Sequence, residues 1–292
     1  MESSPLRNRL LLFVAALLFS TGGAAIKAAT LTGWQVASFR SAVAAVVLFA
    51  VFPDARRGGT WRLTPVAAAY AATLITFVIS NRLTTSANAI FLQSTAPLYV
   101  LLLSPWLLRE PIRRADLVYV AAVLLGMAVV CTGTESAVAT APDPPRGNAV
   151  ALLSGFFYAL LLIGLRWLGR GKEANSGIAT AAFGNVLACM ATLPLALSLK
   201  APAISPALPK DLMVILYLGV VQTGFAYVCL TLAMRHVPAL EAATLLMIDP
   251  AINPLWTWLL HGERPAAWSL AGGAMILSAT LASTWRHSRR AG

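Results

Sequence analysis

An aspartate followed by a proline, Asp249-Pro250, stands inside an apolar stretch that runs from Ala239 to Leu260. In a membrane such a carboxylate costs about 2.5–3.5 kcal/mol at the bilayer centre. It therefore needs a partner, water or a proton, and an acid in that position is a functional candidate by default. Pro250 lacks an N–H, which frees a backbone carbonyl one turn earlier, near Leu246. A bent helix carrying both an acid and a freed carbonyl can line a polar cavity. Asn253 follows Asp249 by one helical turn and shares its face. This is binding chemistry: an acceptor for an amine, a cation or a proton. The competing reading is a structural carboxylate paired with a base on another helix.

Other polar residues interrupt apolar runs. Arg40 could pair with Asp249 or with a substrate carboxylate. Its place near a span end favours packing, with the head group reaching the interface. Lys27 closes the first apolar run and is read as snorkelling to the outer interface. Gln93 precedes Pro97 by one turn and shares a face with the expected bend. Gln222, Tyr227 and Tyr158 could line a cavity, although polar side chains in such spans more often bond helix to helix. Glu241 and Asn88 each open an apolar run, where an acid or an Asn suits a helix N-terminus. Glu110 and Glu263 each follow one and are expected to pair with a nearby Arg.

Bond-making chemistry finds no support. There is no HExxH, GxSxG or phosphate-binding loop, and Gly169-Arg170-Gly171-Lys172 lacks the first glycine and the hydroxyl residue of the last. The three histidines, at 236, 261 and 287, have no metal-ligand spacing. Cys131, Cys189 and Cys229 form no CxxC pair. No catalytic residue, metal or cofactor is expected.

The elements that must position these residues are membrane spans. Hydrophobic residues make up 58% of the chain and charged residues 11%. Soluble domains carry roughly 45–50% and about 25%. A window of about 20 residues gives ten candidate spans: 10–29, 34–52, 64–80, 87–107, 115–131, 147–167, 177–199, 211–234, 239–260 and 267–285. Continuous apolar runs, rather than alternating ones, exclude a transmembrane β-barrel. Arg7 and Arg9 before the first run resemble a signal peptide, but the run is long enough to span and is read as a retained helix.

The net charge of +11 follows from loop arginines and lysines rather than from nucleic-acid binding. With the N-terminus inside, fifteen of them fall in cytoplasmic segments and five on the other side. That bias predicts cytoplasmic N- and C-termini and an even number of spans. Seven of the eight tryptophans lie at or near predicted span ends, as an interfacial belt requires.

The fourth and ninth spans are copies. Pro97 and Pro250, Glu110 and Glu263, and Arg82 and Arg235 are each 153 positions apart. The Pro-rich break at Pro142 to Gly147 divides the chain into residues 1–140 and 147–292. Five spans per half put the halves in opposite orientations, an inverted repeat. Asp249 has Ala96 as its counterpart, so only the second copy carries the acid.

These pieces resemble the drug/metabolite transporter superfamily, EamA type. The matching residues are Ser38-Phe39-Arg40-Ser41, then Ala89 through Pro97-Leu98, and in the second half Leu218 through Tyr227, Ala233 through Ala239, Asp249-Pro250 and Gly262-Glu263-Arg264-Pro265. The likeness covers nearly the whole chain. Two positions depart from it: Asp249, where Glu is more usual, and Asn81-Arg82-Leu83, where a more apolar turn is usual. The resemblance implies an all-α fold of ten transmembrane helices in two inverted five-helix repeats. It implies secondary transport of small metabolites such as amino acids, often export, across the inner or plasma membrane. Substrate is expected at Asp249, Asn253, Arg40, Gln93, Gln222, Tyr227 and Tyr158, with Pro97 and Pro250 as helix kinks. Expected partners are a small-molecule substrate, protons as a candidate coupling ion, and lipid, in a monomer or a homodimer. A channel or sensor and a membrane-embedded enzyme subunit are the alternatives.

Overall fold

In lipid, a run of Leu, Val, Ala and Phe must satisfy its backbone N–H and C=O groups within itself, and a helix does so. A computed structural model describes residues 5–57, 61–107, 114–132, 138–169, 176–198, 208–234 and 245–288. Among these residues the structure is helical, with one isolated β-bridge between Val138 and Ala141. The helices are α1 (Pro5–Ser20), α2 (Gly22–Ala28), α3 (Gly33–Val51), α4 (Leu63–Leu83), α5 (Ser86–Gln93), α6 (Ala96–Leu107), α7 (Arg114–Thr132), α8 (Pro144–Gly169), α9 (Ser176–Ser198), α10 (Leu208–Leu216), α11 (Ala226–Met234), α12 (Ile248–His261) and α13 (Ala267–Ser288). A 3-10 turn, Pro53–Arg57, follows α3, and a π-helical segment, Tyr217–Phe225, joins α10 to α11.

Among the described residues, seven stretches are long and apolar enough to cross a membrane: Leu6–Ala28, Gly33–Val51, Leu63–Leu83, Ser86–Leu103, Pro144–Leu165, Gly177–Ser198 and Leu208–Leu230. Asp116–Thr132 and Ala267–Ser283 are shorter apolar helices. The described part of predicted span nine is α12 and the turn before it. Glu110 and Glu241 lie outside the described residues. Burial runs opposite to that of a soluble protein. Val46, Leu197 and Leu259 are about 70% exposed on the outside, whereas Asn81, Ser86 and Asn253 are fully enclosed. An apolar exterior around a polar interior suits lipid as the solvent.

Among the described residues, four spans are not simple α-helices. Span one breaks at Thr21, between α1 and α2. Span four breaks at Ser94-Thr95, where Leu98 N–H returns to the Thr95 carbonyl at 2.8 Å. Span nine breaks at Met247. Pro97 and Pro250 are thus not in the middle of bent helices. They are the second residue of α6 and the third of α12. A first turn has unused N–H groups in any case, so proline costs little there. In span eight the π-helical segment was not foreshadowed by hydropathy, which cannot tell a π from an α period at this length.

The closest packing joins helices before residue 133 to helices after residue 143. Helix α4 lies on α8 and α9, while α11 lies on α1 and the π segment lies on α3. Helices α5 and α6 meet α8, as α12 meets α1 and α2. Helix α3 also packs on α9, and α7 on α13. At the α7–α13 crossing a Cβ on Gly126 would lie 2.9 Å from the Gly272 carbonyl, and one on Gly272 2.6 Å from the Gly126 carbonyl. Only two glycines permit backbones this close, a common device for helix association in membranes.

Candidate functional site

The interior holds a polar, aromatic cluster assembled from seven helices. Arg40 of α3 is nearly fully buried, and its Nη2 donates to the Leu74 carbonyl over a long 3.4 Å. Its Nε has no hydrogen-bond partner among the described residues. The expectation that Arg40 reaches the interface is therefore corrected: α4 and the π segment enclose it. Arg40 lies within electrostatic reach of Tyr70 on α4. Asn185 Nδ2 of α9 donates to the Tyr70 hydroxyl at 3.3 Å and to the Ala181 carbonyl at 2.8 Å. The Tyr70 and Tyr227 rings meet edge to face, centroids 5.6 Å apart, and Phe19 of α1 stacks on the other side of Tyr227 at 5.8 Å. Edge-to-face contacts of this kind each add about 0.5–1.5 kcal/mol beyond area burial. Gly184 makes room for the arrangement, since a Cβ there would lie 2.5 Å from the Tyr70 ring.

Tyr158 of α8 completes the cluster. Its electrostatic neighbours include Asp249, Tyr70 and Tyr227, from three other helices. Yet Tyr158 keeps 36% of its surface accessible. Asp249 sits in the first turn of α12, where the partial positive charge of the helix N-terminus favours a carboxylate. Its Oδ1 has no hydrogen-bond partner among the described residues. The cluster thus offers a guanidinium and a carboxylate, each with an unused polar atom, separated by phenols. Such an arrangement can hold a small ligand bearing both an anionic and a cationic group, with apolar parts against the rings.

Of the sequence-predicted residues, Arg40, Tyr158, Tyr227 and Asp249 come together. The other three do not join them in this structure. Gln93 donates to Ser154 Oγ at 2.8 Å, and Ser154 donates to the Thr73 carbonyl at 3.3 Å. Gln222 packs over Gly22, and its Oε1 accepts from Thr223 at 3.2 Å. Asn253 lies at the junction of α2, α4 and α5. Its Oδ1 accepts from Ser86 at 2.7 Å, and Ser86 Oγ also lies 3.0 Å from Asn81 Oδ1. One turn separates Asn253 from Asp249, but α12 turns them toward different neighbours. Tyr70 and Asn185 had no distinguishing sequence signal, since each is one ordinary polar residue in an apolar helix.

The expectations for Lys27 and Glu263 are also corrected. Lys27 does not snorkel, and Glu263 pairs with no arginine among the described residues. They pair with each other at 2.8 Å, with side chains 3% and 4% exposed. Lys27 Nζ also donates to the Thr84 carbonyl at 2.9 Å and to that of Thr140, and Glu263 Oε1 accepts from the Ser86 N–H at 2.6 Å.

Helices with apolar flanks, broken spans and a buried polar interior define a polytopic all-α membrane protein. The chain belongs to the EamA-like transporter family, of the drug/metabolite transporter superfamily, and matches it over residues 8–132 and 145–285. Pseudopaline exporter CntI from two strains of Pseudomonas aeruginosa, UCBPP-PA14 and PAO1, is in each case 27% identical over 280 residues, 94% of either chain. A solved crystal structure shares the fold, with a TM-score of 0.57 at 18% identity over 98% of this chain and 99% of its own.

Proposed function

We propose that this protein is a secondary active exporter of small zwitterionic metabolites, amino acids or their derivatives, working by alternating access. One observation carries the reading. In a member of a transporter family, buried Arg40 and half-buried Asp249 each keep an enclosed polar atom without a partner among the described residues. Leaving such groups unpaired is costly, and a ligand with a carboxylate and an ammonium would satisfy both. Tyr158, Tyr227 and Phe19 supply the walls. The relatives' description as exporters supports the outward direction. Residues 1–140 and 147–292 are the two inverted repeats, which rock about the site, and the packing of helices of one half on those of the other supports this. The termini face the cytoplasm, the bilayer is the inner or plasma membrane, and a proton supplies the coupling.

The test is reconstitution into liposomes and a flux screen across amino acids, sugars, nucleobases and cationic drugs, with and without an imposed pH gradient. Saturable flux of a zwitterion, enhanced by the gradient, is the expected result. Flux confined to uncharged sugars, or no saturable flux at all, would overturn the reading. Continuous voltage-driven flux that never saturates would favour a channel.

A further inference from the structure

We propose that the Lys27–Glu263 ion pair is the lock that closes one end of the cavity, and that it parts each time that end opens. The proposal rests on the alternating-access reading above. Lys27 is in the last turn of α2 and Glu263 follows α12 by two residues. Through Ser86 N–H and the carbonyls of Thr84 and Thr140 the pair also holds the α4–α5 junction and the segment before α8. One buried pair therefore ties four segments drawn from both halves.

Further bonds lie at the same end. A His261 ring nitrogen meets the Ala24 carbonyl at 2.8 Å. The Thr30 N–H donates to Asp211 Oδ1 at 2.8 Å, and Arg82 donates to the carbonyls of Ala29 at 3.0 Å and Leu31 at 2.7 Å. The Asp143 N–H donates to the Leu83 carbonyl at 3.0 Å. Three of these, at His261, Asp211 and Asp143, reach across segments that an opening of this end would separate.

A buried ion pair is a poor choice for a permanent fastening, because well-packed apolar residues serve as well or better. Its merit is that it can exchange protein partners for water when the end is wetted. It is also mechanically linked to the site. Helix α12 carries Asp249 in its first turn and leads to Glu263 at its far end. At 1.5 Å per residue this is a rod of about 21 Å. A shift of Asp249 on ligand binding moves the lock without an intervening loop. Phe19 and Lys27 are likewise on consecutive helices of one span.

The experiment reads access rather than transport. Cys131, Cys189 and Cys229 are replaced by alanine, and Tyr158→Cys provides one thiol in the cavity. A membrane-impermeant maleimide is applied to each face of reconstituted vesicles in turn. Glu263→Gln and Lys27→Met are each expected to speed labelling from the Lys27–Glu263 face by about tenfold or more, since each leaves an uncompensated buried group. An unchanged rate in protein that elutes as a single species would overturn the proposal. A second measurement keeps the pair intact: spin labels at Leu31 and Arg264 are expected to report two distances in lipid nanodiscs. A single distance in both detergent and nanodiscs would also overturn it. Neither readout needs a transported compound, so a failed flux screen would leave both standing.

Discussion

Asp249 and Arg40 are the residues on which the proposed binding chemistry rests. Asp249→Asn keeps the shape of the side chain and removes its charge. If the carboxylate meets a substrate ammonium, a charge-assisted contact of about 1.5–3 kcal/mol is lost. The expected outcome in liposomes is a loss of apparent affinity of about tenfold or more for the zwitterion found by the screen. An unchanged saturation curve would remove Asp249 from the site. Tyr70 makes a different prediction. Tyr70→Phe keeps the ring against Tyr227 and Gly184 but deletes the acceptor for Asn185 Nδ2. A loss of about 0.5–1.5 kcal/mol in stability is expected, read as a lowered Tm in detergent. The polar residues of the site were partly legible in the sequence, because Asp249, Arg40, Tyr158 and Tyr227 all interrupt apolar runs. Tyr70 and Asn185 interrupt them in the same way, and only their meeting across α4 and α9 distinguishes them.

At the scale of elements, helix ends and crossings carry the design. Thr32 and Gln35 form a reciprocal capping box at the start of α3, the helix that holds Arg40. Thr32→Ala is expected to cost about 0.5–2 kcal/mol, measurable as a lower Tm. The α7–α13 crossing is more demanding. Gly272→Leu would drive a side chain into the Gly126 carbonyl and Val130. Overpacking of this kind typically costs about 1–3 kcal/mol, and a lower Tm with a broadened elution profile is the expected observation. Both prolines singled out in the sequence do mark interruptions of their spans. The breaks, however, fall just before them, at Ser94-Thr95 and Met247. The result places Asp249 at a helix N-terminus rather than on the flank of a bend.

At the scale of the whole molecule, the proposed inverted repeat puts both termini on one side of the membrane. Reporters fused to the N-terminus and to the C-terminus are predicted to be accessible from the cytoplasm alone. Accessibility on opposite sides would break the even number of spans and, with it, the inverted repeat. The polar seam around Lys27 and Glu263 ties α2, the α4–α5 junction and the residues after α12 together at one end.

Hydropathy was enough to determine a polytopic helical membrane protein, because lipid imposes its requirement on each segment separately. The 153-residue offset also pointed to the transporter family. The pairing of Lys27 with Glu263, the hub at Tyr70 and the separation of Asn253 from Asp249 were decided by tertiary structure alone. Each depends on which residues from distant segments share a few ångströms of space, and no local rule of period, charge or propensity carries that information.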